Sequence, residues 1–204
     1  MAIAVFTAMV LQLIAPEGGR LAPRWLVPSF ELVVLVTLIA GDPGRIDNRS
    51  RFLRQITTVL IAVMTFATIA GVTVLVVDVL WGVKGASAAA LFGRGAALWV
   101  TNILVSSLWY WHFDRGGPAE RAAGSKVPPS FTFPETVNPA RACEGWMPTY
   151  PDYLFLAYTN ATAFSPADTM PVRVWAKMTM LTESLISFVT AVIVIARAIG
   201  VLPG

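Results

Sequence analysis

The sequence predicts an all-α, polytopic membrane protein with four to five transmembrane helices plus a re-entrant half-helix and loop. Three observations lead there. Of 204 residues, 56% are hydrophobic and 13% charged, where a soluble domain carries about 25% charged residues. Long apolar runs recur along the chain, separated by glycine and proline clusters. The last third adds an apolar segment too short to cross a bilayer, followed by a long one. The chain reads as one membrane domain: a helical bundle over 1–112, a Pro/Gly-rich loop over 113–151, and a pore-like loop with a final helix over 152–204.

The first run, 3–15, is near the lower limit for a span and either crosses obliquely or lies in the interface. It lacks the charged start and small-residue cleavage motif of a secretory signal, so it reads as part of the mature protein. Runs 25–40, 56–81, 88–111 and 174–199 approach or meet the roughly twenty residues that a spanning helix needs. Pro16, Gly18, Gly19, Pro23 and Pro28 separate the first two elements, and Gly41-Asp42-Pro43-Gly44 is a strong turn signal. Lys84-Gly85 marks a tight connection. Eleven prolines and glycines, from Gly116 to Pro151, argue against a regular helix in 113–151.

Residues 153–163 can enter a membrane but not cross it, and Phe164-Ser165-Pro166-Ala167-Asp168-Thr169-Met170-Pro171 breaks the helix before the last one. This is the outline of a re-entrant loop, whose irregular backbone survives at membrane depth only beside protein or water. The alternative is a short surface helix with Asp152 as its cap and Ser165-Pro166-Ala167-Asp168 as the next helix start.

Cations set the expected orientation. Ten Lys and Arg fall on the side of the 42–55 loop, among them Arg45, Arg49, Arg54, Arg115, Arg121 and Arg173, against five on the other, including Arg94. The positive-inside rule places the 42–55 loop and the mouth of the re-entrant segment in the cytoplasm. The fifteen basic residues form no single face, which argues against nucleic acid as a partner. One cysteine, Cys143, and one histidine, His112, make neither a disulfide framework nor a zinc site, and no cofactor is indicated.

Glu183 is the strongest candidate within an apolar segment, because charges there usually face protein or water. Thr179, Glu183, Ser187 and Thr190 fall on one stripe of the final helix, which either lines an aqueous path or glues helices together. Asn102, Ser106, Thr65 and Thr68 read as interhelical packing groups. Glu31 and Asp78 read as interfacial. Trp109-Tyr110-Trp111 reads as an interfacial aromatic belt, with His112 a proton acceptor near Asp114 or a surface group. No catalytic constellation assembles, so the chain is not expected to be an enzyme.

Two resemblances follow from these residues. The stretch 152–171, with Trp109-Tyr110-Trp111 and Asp114-Arg115-Gly116-Gly117-Pro118, resembles a family of bacterial integral membrane proteins to which no activity is assigned. That resemblance implies a multi-pass protein of the bacterial inner (plasma) membrane. Residues 153–200 are also similar in layout to the pore module of two-helix-type potassium channels, aligned on Asp168, Pro171 and Glu183. Thr162-Ala163-Phe164-Ser165-Pro166-Ala167-Asp168 stands where those channels have Thr-Thr-Val-Gly-Tyr-Gly-Asp. Both filter glycines are absent, so the carbonyl geometry of a potassium filter is not carried over. Potassium-channel loops also enter from outside, opposite to the charge count here.

The expected function is a channel-like or transporter-like protein, homo-oligomeric, with the lipid bilayer and a small ion as partners. Thr159, Asn160, Thr162, Ser165 and Asp168 are the expected constriction, and Glu183, Ser187 and Thr190 the cavity lining. The alternatives are a non-conducting interaction or assembly protein, and an intramembrane enzyme using Asp168, Glu183 or His112.

Overall fold

The structure is a computed structural model describing residues 1–15, 23, 25–41, 51–81, 87–124, 126–138, 145–165 and 168–199. The turn at 42–44, the Lys84-Gly85 connection, the breakers at 16–19, Cys143 and Pro166-Ala167 lie outside the described residues, as do Arg45 and Arg49.

Among the described residues the chain is almost entirely helical: α1 Ala2–Ile14, α2 Leu26–Gly41, α3 Arg51–Leu80, α4 Ala88–Phe113, α5 Pro118–Ala122, α6 Pro134–Val137, α7 Tyr150–Ala163 and α8 Val174–Ile199. Two short strands, β1 Phe131–Thr132 and β2 Met170–Pro171, pair antiparallel. Three segments, Leu53–Leu80, Ala89–Gly116 and Val174–Ala196, are long and apolar enough to cross a membrane. The chain is therefore membrane-embedded. Helices α1 and α2 are apolar but shorter. The 16 residues of α2 span about 24 Å against a hydrocarbon core of about 30 Å.

Helix α4 is the hub, packing against α1, α3, α7 and α8. Ser87 caps its start by accepting from the Ala90 N–H at 3.1 Å. Ala4, Val5, Leu60, Ile61, Met64 and Leu108 bury one core between α1, α3 and α4. Tyr110, Phe131, Tyr153, Ala176 and Met180 build a second, aromatic one at the far end of α4. Outward, Phe66, Leu181, Leu185, Phe188 and Ile195 are more than half exposed, the apolar surface of a bundle solvated by lipid.

The end of α4 corrects two expectations. The Pro/Gly-rich stretch holds short helices after all, because Pro118 and Pro134 sit in first turns, where a missing N–H costs nothing. Gly117 makes the turn that allows this, at φ 101°, with the position of an added Cβ only 2.8 Å from the His112 carbonyl oxygen. Pro151 acts in the same way in α7, which starts at Tyr150 rather than 153, capped by a reciprocal Thr149/Asp152 box.

Levels along the bundle give the path of the last third. Trp175, in the first turn of α8, meets Phe113 and Phe131 at ring distances of 5.8 and 5.7 Å. Helix α7 starts at the same end, with Tyr150 edge-on to Trp111 at 6.1 Å. Phe164, just past α7, meets Phe188 in the middle of α8 at 5.8 Å. The chain thus climbs about 20 Å as helix, is back at the level of Trp175 by residues 168–173, and climbs again as α8. Strand β2 in the return segment is tied to β1, and the Val172 N–H donates to the Ser130 carbonyl at 2.9 Å.

Candidate functional site

Halfway along α8, Glu183 is 1% exposed. Its carboxyl is held from two other helices. Oε2 accepts from the Tyr110 hydroxyl on α4 at 2.5 Å and from the Asn160 amide on α7 at 2.6 Å. Asn160 also donates to the Met180 carbonyl at 3.0 Å, fixing α7 against α8. Asn102 of α4 uses both amide hydrogens on α8, one on the Glu183 carbonyl and one on Ser187 Oγ, each at 3.0 Å. Three side chains from two neighbours therefore clamp two turns of α8, from Met180 to Ser187.

The other carboxyl oxygen, Oε1, is buried and has no hydrogen-bond partner among the described residues. Ser106 stands close to the same carboxyl without completing a bond to Oε1. Beside them is a cleft of about 270 Å³ lined by α3, α4 and α8, with Thr65, Thr68, Ser106, Trp109, Thr179 and Thr182 in its wall. An unpaired buried carboxyl oxygen costs several kcal/mol when charged. It must either carry a proton or meet a donor or cation from the cleft.

A second buried acid lies at the end of α4. Asp114 is 0% exposed; its Oδ1 accepts from the Ser130 N–H and its Oδ2 from the Tyr153 hydroxyl, each at 2.6 Å. Arg121 donates to the carbonyls of Trp111 and Asp114 at 2.8 and 2.7 Å and lies over the Trp111 and Tyr153 rings. Burial, reinforced by the Asp114 carboxylate, holds the Tyr153 phenol well above the usual phenol range, so it stays a donor.

The expected site residues separate into two groups. Asn160, Glu183 and Ser187 meet in one network; Thr190 is buried one turn on, its hydroxyl on the Ile186 carbonyl. Thr159 and Thr162 turn their hydroxyls onto carbonyls of α7 itself, and Thr162, Ser165 and Asp168 are exposed. The polar stripe of α8 faces α4 and α7 of its own chain. Phe164 ends α7 in left-handed backbone, φ 52°, a conformation unusual for a bulky residue.

Two further acids gain partners, and one assignment changes. Glu31 is 0% exposed, both oxygens receiving the Gln12 amide at 3.0 and 3.2 Å. Asp78 is 7% exposed and pairs with Arg94 at 2.5 Å across α3 and α4. His112 meets Thr58 at 3.1 Å rather than Asp114.

Sequence reasoning missed Tyr110, read as part of an aromatic belt, whereas Asn102, read as an interhelical hydrogen-bonding group, joins α4 to α8. The signal was present. Positions 102, 106 and 110 are spaced four apart and so share one face of α4. Comparison with protein-family models, curated proteins and solved structures finds no match.

Proposed function

We propose that the chain is a channel-like or transporter-like protein of the bacterial inner membrane in which Glu183 holds a small ion or proton partway across the bilayer. One observation carries this reading: a buried acid at mid-span with one oxygen bound by two helices and the other, among the described residues, unpaired beside a cleft that has threonine hydroxyls in its wall. Ionisable groups within spans mark ion and proton pathways, and interrupted helices at such sites recur in transporters. In this reading α7 and residues 168–173 belong to the re-entrant segment, while α1 and α2 complete a four- to five-span topology. The Arg54 end of the bundle, with the 42–55 loop, faces the cytoplasm. Thr162, Ser165 and Asp168, exposed on one protomer, meet other copies in a homo-oligomer.

The test is flux into liposomes carrying the purified chain. Wild type moves a small cation or protons, and Glu183→Gln loses most of that movement. Wild-type liposomes no leakier than empty ones would refute the reading. A second reading, a non-conducting assembly protein, is favoured by Ser187 and Thr190 being satisfied within the chain. It predicts that cysteines placed over 159–168 stay unlabelled by water-soluble thiol reagents from both sides.

A further inference from the structure

The walls of the Glu183 cleft have one hydrogen-bonding character. The hydroxyls of Thr65, Thr68, Thr179 and Thr182 all donate to carbonyls of their own helices, at 2.7 to 2.9 Å. The Trp109 N–H is committed to Thr65 Oγ1 at 2.8 Å, and both Asn102 amide hydrogens are used on α8. Oxygen lone pairs are what remain to face a ligand, with Glu183 Oε1 unpaired among them. Among the described residues Ser106 is the remaining lining donor, and it stands by the carboxyl. No Lys, Arg or His among the described residues lines the cleft.

Such a wall repels anions and selects a ligand that donates hydrogen bonds and carries positive charge. Size narrows the class. About 270 Å³ is far larger than one water, whose share of liquid volume is about 30 Å³, and exceeds what a bare metal ion fills. The rest of the lining, Val105, Met178 and Ile186, offers carbon rather than oxygen. Met178 and Thr182 are exposed, so the mouth lies on the flank of the bundle, on helices that also present Phe66 and Leu181 outward.

We propose that the cleft binds a primary ammonium ion, its N–H groups on Glu183 Oε1 and the threonine oxygens, and its carbon chain against Val105, Met178 and Ile186. This names the ligand class of the same site and rests on the transport reading only for what happens after binding. The ammonium comes either from a free amine or from an ethanolamine lipid headgroup reached through the lateral mouth.

The experiment is calorimetric titration of the full chain in phosphatidylcholine nanodiscs with benzylammonium, benzyl alcohol, benzoate and sodium chloride. Benzylammonium saturates one site per protomer and binds at least tenfold more tightly than benzyl alcohol, while benzoate and sodium do not compete. Glu183→Gln weakens the amine at least tenfold. Thr182→Trp, which adds bulk at the exposed mouth, abolishes binding without moving the thermal midpoint. It keeps the test decisive should Glu183→Gln misfold. Equal binding of alcohol and amine, displacement by sodium, or an unchanged affinity in Thr182→Trp overturns the proposal. Nanodiscs containing phosphatidylethanolamine separate the sources: competition there supports the lipid headgroup, and unchanged affinity supports a free amine. Amine binding without liposome flux leaves the site standing and removes the transport reading. Sodium flux without amine binding does the reverse.

Discussion

Asp114 and Glu183 are both buried carboxylates, 0% and 1% exposed, and each accepts a short hydrogen bond from a tyrosine. They are completed differently. Each oxygen of Asp114 has its own donor, one from the loop before β1 and one from α7, with the Arg115 guanidinium nitrogen at 3.9 Å. Both donors to Glu183 converge on one oxygen and leave the other unpaired. A saturated buried acid holds elements in register; a half-saturated one is costly unless something else completes it. The end of the bundle is therefore a lock, and its middle the candidate site.

Breaking the lock has the largest expected effect. Asp114→Ala removes the shared acceptor of Ser130 and Tyr153, leaving two buried donors unpaired and Arg121 and Arg115 beside no carboxylate. Loss of one partner from a buried charged network costs about 3–5 kcal/mol. The expected outcome is a large fall in thermal midpoint in detergent, with β1, β2 and the start of α7 exchanging amide hydrogens first. An Asp114→Ala protein as stable as wild type would mean that α7 is held by the apolar core alone.

Gly117→Ala is next, at about 2 kcal/mol. Its backbone, φ 101° and ψ 175°, lies in a region costly to any residue with a Cβ, and that Cβ would strike the His112 carbonyl oxygen. Tyr153→Phe follows at about 1–2 kcal/mol, the cost of leaving Asp114 Oδ2 without its donor. Both are read by the same melting curves, and a Tyr153→Phe effect larger than that of Asp114→Ala would reverse the assignment of the lock to the carboxylate.

How much of this was legible in the sequence follows from what periodicity encodes. Length and hydropathy gave α3, α4 and α8, and the 3.6-residue period gave the buried face of α8 with Glu183, Ser187 and Thr190 on it. Period names a face, not a neighbour. That Asn160 reaches Glu183 depends on α7 rising parallel to α8 to the level of Phe188, which is a packing outcome. The partners of Asp78 and Glu31 were not legible for the same reason, since each, Arg94 or Gln12, lies on another helix. The start of α7 was missed by three residues because Pro151 was taken as a breaker, although a first-turn proline favours a helix start. Oε1 of Glu183 was not legible at all, because an unpaired atom exists only once every neighbour is placed.

The smallest expected effects sharpen the contrast between lock and site. Glu183→Gln keeps an amide oxygen for Tyr110 and Asn160 while removing a charge that has one unpaired oxygen, so stability changes by less than about 1 kcal/mol. Its effect belongs to ligand and flux. Asp168 is exposed at the return from α7, and surface substitutions away from special features stay within about 0.5 kcal/mol. Asp168→Asn therefore leaves the melting curve in detergent unchanged. If the return segments of several copies meet around an axis, the same substitution alters ion preference in liposomes, because a ring of carboxylates there becomes a ring of amides. A drop in detergent stability with unaltered flux would instead make Asp168 part of a second lock and favour the assembly reading.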